Sequence, residues 1–211
     1  MVRILAFTDP HGEKKALREI LALADSGRPD LIVCSGDVSF FGKECDTFLR
    51  DLGILRRTVY FVPGNHETPS VAKELTTFYP YLKDVSFGVV EDAGVRLSGL
   101  PGTDAFWPGA RPADQLRAKA VGMGEPGDRT KPLVLLTHYP PSGTNVSGTS
   151  VITPDSGGSR LVRQIVEALR PALVVCGHYH QDFGKEAHVG TTRIVNPGPG
   201  GRILEVESCP T

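Results

Sequence analysis

Little in this 211-residue chain speaks for a membrane, a secretory route or a nucleic-acid partner. No apolar run approaches the roughly 18 residues needed to cross a bilayer. The N-terminal run Ile4–Phe7 is cut short by Asp9, which leaves no signal-peptide core and predicts a cytoplasmic location. The four cysteines, at 34, 45, 176 and 209, include no C-x-x-C pair, so a zinc knuckle, a redox motif and a disulfide framework all drop out. Cys34 and Cys176 end apolar runs and read as small buried thiols. Neither sign of charge dominates: 23 Lys+Arg against 24 Asp+Glu leaves a formal charge of −1. That balance excludes a broad electrostatic grip on nucleic acid or an anionic membrane. What remains is an ordinary globular composition, 40% apolar and 22% charged, long enough for a single domain over 1–211 with a sizeable core.

Five short apolar runs punctuate the chain: Ile4–Phe7, Leu31–Cys34, Val59–Val62, Leu133–Leu136 and Leu173–Cys176. They are near-continuous rather than alternating, the pattern of strands covered on both faces. Amphipathic helices are expected over Lys14–Ala24, Glu44–Leu55 and Pro69–Phe78, the last with Thr68 as N-cap and proline in its first turn. A fourth is expected over Arg160–Leu169, capped by Ser159 and closed by Pro171. Strand alternating with helix predicts an α/β fold on mostly parallel strands. Val85–Leu100 and Thr191–Glu207 break the rhythm with shorter, mixed runs and read as hairpins of a second sheet. Pro101–Lys131 and Pro140–Gly158, rich in Gly and Pro, read as long functional loops.

The chemistry follows the apolar runs. After Phe7 comes Thr8-Asp9-Pro10-His11, and after Cys34 comes Ser35-Gly36-Asp37. Val62 leads into Pro63-Gly64-Asn65-His66-Glu67, Leu136 into Thr137-His138, and Cys176 into Gly177-His178-Tyr179-His180. Five of the six histidines thus fall at the C-terminal ends of predicted parallel strands, at what reads as one edge of one sheet, where ligands bind in open α/β folds. Each element alone has a plain reading: Asp37 as a helix cap, Asn65 as a turn residue, His138 as a structural histidine. Independent plain readings do not explain why all share one edge. Two carboxylates, an amide oxygen and several imidazoles without thiolate suit Mn²⁺, Fe or Zn²⁺. Asp9, His11, Asp37, Asn65, His138, His178 and His180 are too many donors for one open tetrahedral ion, and about right for two ions sharing a carboxylate.

The ordered blocks Asp9-x-His11, Gly36-Asp37, Gly64-Asn65-His66-Glu67, His138 and Gly177-His178-Tyr179-His180 resemble the calcineurin-like metallophosphoesterase superfamily, over residue 7 to about 200. The resemblance implies a four-layer α/β/β/α sandwich of two mixed sheets flanked by helices. It implies one ion on Asp9, His11, Asp37 and His180, and a second on Asp37, Asn65, His138 and His178, with Asp37 as the bridge. Mn²⁺ is the expected metal, with Fe, Zn²⁺ and Ni²⁺ as alternatives. The implied reaction is in-line attack of a metal-bridging hydroxide on a phosphoester, with His66 and Asp37 as the catalytic residues and His66 assisting the leaving group. Glu67 stands where relatives carry an acid that orients an imidazole.

Departures narrow the substrate. Protein phosphatases of the superfamily carry an arginine after the bridging aspartate, whereas Asp37 is followed by Val38-Ser39-Phe40-Phe41-Gly42. The C-terminal half looks most like small uncapped phosphodiesterases, relatives of the class III cyclic-nucleotide enzymes. The expected partner is a small phosphoester, a nucleotide among the candidates, acted on by a monomer or homodimer away from membranes and nucleic acid. A phosphomonoesterase with the same site, and a metal-binding scaffold with vestigial activity, are the alternatives. Tyr139 and Tyr179 flank ligands and read equally as pocket or packing residues. Phe106 and Trp107 are candidates for an apolar wall, Gly157-Gly158-Ser159 for an anion-binding helix start or a plain cap, and His188 for a solvated surface residue.

Overall fold

A computed structural model describes residues 1–43, 45–102, 122, 130–148 and 157–207. The apolar runs are strands, sorted into two sheets. The first holds β1 (Val2–Phe7), β2 (Leu31–Cys34), β3 (Val59–Phe61), β4 (Leu82–Asp84) and β11 (Arg202–Val206), in the order β11-β1-β2-β3-β4. The second holds β5 (Val89–Asp92), β6 (Val95–Leu100), β7 (Leu133–Thr137), β8 (Leu173–Val175), β9 (Glu186–Val189) and β10 (Thr192–Val195), in the order β5-β6-β7-β8-β10-β9. β1 to β4 run parallel, as do β6, β7, β8 and β10, while β5, β9 and β11 pair antiparallel at the edges.

Side-chain alternation along these strands builds three apolar layers. On β1, Val2, Ile4 and Ala6 face the second sheet and pack with Val95, Leu97, Val134, Leu136 and Val175. Leu5 and Phe7 point the other way, under α1 (Lys14–Gly27) and α2 (Asp46–Leu52), against Leu17, Ile20, Phe48 and Leu49. The outer face of the second sheet, with Leu135, Val174 and Ile194, is covered by Val162, Ile165 and Val166 of α4 (Arg160–Leu169). Three cores separate four layers, the α/β/β/α sandwich.

The caps read from sequence are in place. Thr68 Oγ1 accepts from Val71 N at 3.3 Å to open α3 (Pro69–Phe78), and Ser159 Oγ accepts from Val162 N at 3.2 Å to open α4. α1 continues three residues past Ala24 and stops at Arg28, which turns left-handed at φ 42°. α2 starts at Asp46, and residues 53–55 follow as a 3₁₀ turn.

Two expectations need correction. Val85–Leu100 does give a hairpin of the second sheet, β5–β6, but Thr191–Glu207 splits. Thr192–Val195 pairs with β9 in the second sheet, whereas Arg202–Val206 crosses to the first and lies antiparallel to β1. The strand ends that carry the candidate donors also belong to two sheets rather than one: β1, β2 and β3 to the first, β7 and β8 to the second. Phe106 and Trp107, with most of Pro101–Lys131 and part of Pro140–Gly158, lie outside the described residues. No helix among the described residues is long and apolar enough to cross a membrane.

Candidate metal centre

The C-terminal ends of the parallel strands of both sheets meet, and backbone hydrogen bonds tie the loops beyond them together. Asp9 N donates to Gly36 O at 3.0 Å, His11 N to Asp37 O at 3.1 Å, and Gly177 N to His138 O at 2.9 Å. Ser35 links the sheets: its hydroxyl donates to Val175 O at 2.8 Å, and its own carbonyl accepts from His138 Nδ1 at 2.9 Å. Asp9, His11, Asp37 and His178 all sit at positive φ, between 42° and 70°. Four non-glycine residues in that region are costly, and such strain concentrates where geometry serves chemistry. Glycines let the loops close up: a Cβ on Gly64 would lie 2.0 Å from Asp37 Oδ1, and one on Gly177 would lie 2.2 Å from Asp9 Oδ2.

All eight residues singled out from the sequence converge here. Asp9, Asp37 and His138 form a buried floor, His11, Asn65, His66 and His178 a half-buried wall, and His180 the exposed rim. Asp37 Oδ2 is the hub, 3.5 Å from His138 Nε2 and 3.9 Å from both His11 Nε2 and His66 Nε2. Asp9 Oδ1 lies 3.6 Å from His180 Nε2. Asn65 Oδ1 lies 2.7 Å from His138 Nε2 and 2.9 Å from His178 Nδ1. Two clusters result, Asp9/His11/His180 and Asn65/His138/His178, with Asp37 between them.

A cation fits this arrangement on electrostatic grounds. Ser35 O can only accept, so His138 Nδ1 carries the donated proton and the ring turns Nε2 toward Asn65 Oδ1 and Asp37 Oδ2. An amide oxygen and a carboxylate oxygen at 2.7 and 3.5 Å from one imidazole nitrogen are a donor set that a positive ion would draw into coordination. His11 repeats the pattern, with Nδ1 on Ser39 O at 3.3 Å and Nε2 toward Asp37. Three groups, each with ligand atoms within 4.8 Å of one another, could hold an ion: Asp9/His11/His180, His11/Asp37/His66 and Asp9/Asp37/His138.

The two aspartates have opposite environments. Burial pushes Asp37 up to about 7, aided by the charges of Glu67 and Asp9, although His138 and the His66 N–H at 2.9 Å pull the other way. Burial acts on Asp9 too, but His180, His138, the Thr8 hydroxyl at 2.6 Å and the His178 N–H outweigh it and hold its carboxyl low. Among the imidazoles, burial beside His138 drives His178 down to about 4, and burial also lowers His11 and His66. His180 is instead raised, by its neighbour Asp9.

The resemblance implies that Glu67 orients a neighbouring imidazole; the hydrogen bonds of its carboxylate go instead to backbone N–H groups and the Ser39 hydroxyl. Fully buried, it accepts from Asp37 N and Gly64 N with Oε2, and from Ser39 N and Ser39 Oγ with Oε1, all at 2.8–2.9 Å. It therefore holds the backbone under Asp37, and reaches an imidazole only through Ser39 O and His11. Glu67→Gln turns one acceptor into a donor facing N–H groups. We expect a loss of about 2–4 kcal/mol in urea unfolding of the metal-free protein; an unchanged midpoint would show that these bonds hold nothing.

The remaining candidates resolve by contact. Tyr179 is a packing residue: its hydroxyl accepts from Gly158 N at 3.1 Å, and a Cβ on Gly148 would strike its ring at 2.3 Å. With Gly158 N taken by Tyr179 and Ser159 N by Pro140 O, the Gly157–Ser159 stretch is a helix cap. Tyr139 lies against the rings of His178, at 4.5 Å, and His138, at 5.2 Å. His188 is exposed on β9, away from the site. Sequence reasoning missed Phe40 and Phe41, whose rings lie 4.9 and 4.6 Å from that of His66. Two adjacent aromatics in a glycine turn directly after a ligand block were the available signal.

Comparison with known proteins agrees with this geometry. No curated protein matches the sequence. Solved structures do match in fold. A protein of Thermus thermophilus superposes with a TM-score of 0.69 at 20% identity, covering 94% of this chain and 90% of its own. A phosphopantetheinyl hydrolase of Mycobacterium tuberculosis gives 0.59 at 18%, covering 92% and 88%. A dimetal phosphatase of Danio rerio gives 0.58 at 12%, covering 92% and 86%. The sequence profile of the calcineurin-like phosphoesterases matches residues 2–182. With that match over most of its length, the chain belongs to the calcineurin-like phosphoesterase family, metal-dependent hydrolases of phosphoric esters built around a binuclear divalent metal centre.

Proposed function

We propose that this chain is a phosphodiesterase working with two Mn²⁺ ions, one on Asp9, His11, Asp37 and His180, the other on Asp37, Asn65, His138 and His178. The observation that carries the reading is Asp37 Oδ2, buried and within 3.5–3.9 Å of imidazole nitrogens from both sheets. When bound, the ions supply Lewis acidity and an activated solvent nucleophile. The protein's own part is to hold donors rigid: Ser35 O and Ser39 O fix the tautomers of His138 and His11, and Glu67 fixes the backbone of Asp37. His66 Nδ1 is buried without a hydrogen-bond partner among the described residues, and Nε2 faces the hub. That leaves the ring free to give a proton to the departing alkoxide.

A diester is favoured over a monoester because Asp37 is followed by Val38-Ser39-Phe40-Phe41-Gly42, without the arginine that the protein phosphatases of the superfamily carry there. The test is turnover of bis-p-nitrophenyl phosphate beside p-nitrophenyl phosphate by metal-stripped protein resupplied with Mn²⁺. The diester should be preferred at least tenfold. Preference for the monoester would make the chain a phosphatase with the same site, and tight metal uptake without turnover would make it a scaffold.

Metal uptake takes its pH dependence from the same groups. Asp37, raised to about 7, is protonated in metal-free protein at lower pH and must shed that proton to bind, as must His180, raised by Asp9. Asp9, held low, and His178, held near 4, are already deprotonated. Affinity should therefore climb with pH, by about tenfold or more per unit between 5 and 7, and flatten above. Calorimetric Mn²⁺ titrations across that range check it; a flat profile from pH 5 to 7 excludes a proton on Asp37.

A further inference from the structure

Beyond the metal ligands, the turn after β2 places two phenylalanines over the site. Phe40 and Lys43 exchange backbone hydrogen bonds at 3.1 Å in both directions, and the two residues between them, Phe41 and Gly42, have φ of 53° and 75°. Positive φ at both central positions is the pattern of a type I′ turn, which favours Asn-Gly. A phenylalanine at the first of them is strained, and the residue is still 46% exposed, with Phe40 at 48%. Neither belongs to the three apolar cores. They stand edge-to-face, 5.3 Å apart at 80°, and both lie against His66. The turn is also fixed to the metal centre. Gly42 N donates to Ser39 Oγ at 3.1 Å, and Ser39 donates to Glu67, the same carboxylate that holds Asp37.

We propose that Phe40 and Phe41 form a stacking subsite for a planar ring carried by the leaving group, so that the substrate is a phosphoester of an aryl or nucleoside alcohol. The assignment rests on the phosphoesterase reading of the centre and adds to it the side on which the leaving group sits. His66, the group placed to protonate that alcohol, has these rings as its neighbours, so a ring stacked on Phe41 brings its ester oxygen beside His66. Stacking on aromatic side chains tolerates any flat ring, which makes this a class preference rather than readout of one base.

Binding separates this claim from the one beneath it without relying on turnover. Phenylphosphonate and methylphosphonate share a head group and differ in the ring alone. Titrated into the Mn²⁺-loaded protein, the phenyl compound should bind about tenfold more tightly. Phe41→Asn suits the turn and removes the ring; combined with Phe40→Ala it should cut the preference below about twofold. Methylphosphonate affinity and metal content should stay unchanged, and the melting temperature of Phe41→Asn should be equal or higher. Phe41→Trp should keep the preference. Equal binding of the two phosphonates by the unaltered protein, or a preference that survives the double substitution, overturns the subsite. Binding of neither overturns the metal-centre reading instead.

Discussion

Asp37→Asn is expected to empty both halves of the metal centre together: bound Mn²⁺ falls from two per chain to less than one, and kcat drops by about 10³-fold or more. The reason lies in the position of Asp37 between the clusters. Its Oδ2 faces His138 on one side and His11 on the other, so under the proposed assignment a single charge would serve both ions. An asparagine retains Oδ1 for the His66 N–H at 2.9 Å, and the loop keeps its shape. What disappears is the negative charge that lets two dications sit close together. His180→Ala offers the contrast, since His180 is exposed and its contacts with the candidate ligands are to Asp9 and His11. It should cost one ion and leave the other. Metal content by elemental analysis checks both; loss of a single ion in Asp37→Asn would remove Asp37 from the bridging position.

The same substitution should stabilise the metal-free protein. Asp37 has a folded-state pKa near 7 against an ordinary value of 3.8, so the native state holds its proton where the unfolded chain has lost it. Stability from this group is full below 3.8 and declines as pH rises toward 7, above which the buried charge is uncompensated. A shift of that size corresponds to about 4 kcal/mol at pH 8, recovered by an uncharged side chain. Metal-free Asp37→Asn should accordingly melt higher than the unaltered apoprotein at pH 8 and no higher at pH 4. A function-bearing carboxylate held at a cost to stability is an ordinary trade.

That the candidate metal donors come together was readable from sequence because each follows an apolar run directly, and a parallel strand delivers whatever follows it to the sheet's C-terminal edge. Which edge was not readable. Leu31–Cys34 and Leu133–Leu136 are equally apolar, and nothing local says that one pairs with β1 and the other with β6. Partner choice depends on long-range packing, as β11 illustrates. Leu204 and Val206 enter the inter-sheet core while Ile203 reaches the helix side, a pattern that fits either sheet. Glu67 escaped for another reason. An acid after Asn-His suggests contact with a ring, yet its carboxylate is consumed by backbone N–H groups whose positions only the fold supplies.

His66→Ala is expected to separate chemistry from metal binding. His66 Nε2 lies no farther from Asp37 Oδ2 than His11 Nε2 does, 3.9 Å for each, so distance alone does not tell a ligand from a proton donor. Their surroundings differ. His11 Nδ1 is held by Ser39 O, which aims Nε2 as a ligand should be aimed, whereas His66 Nδ1 has no partner among the described residues and its ring lies against two phenylalanines. A ring fixed by packing alone can turn with the reaction. Removing it should leave two Mn²⁺ per chain and lower kcat by about 10²–10⁴-fold for esters of alkyl alcohols, whose alkoxides need a proton as they depart. p-Nitrophenolate leaves without one, so bis-p-nitrophenyl phosphate should lose much less, on the order of tenfold. A steeper dependence of rate on leaving-group basicity in the variant is the signature, because a purely structural role would slow every ester alike. If His66→Ala strips the metals, His66 is a ligand, and the proton for the leaving group must come from elsewhere at the site.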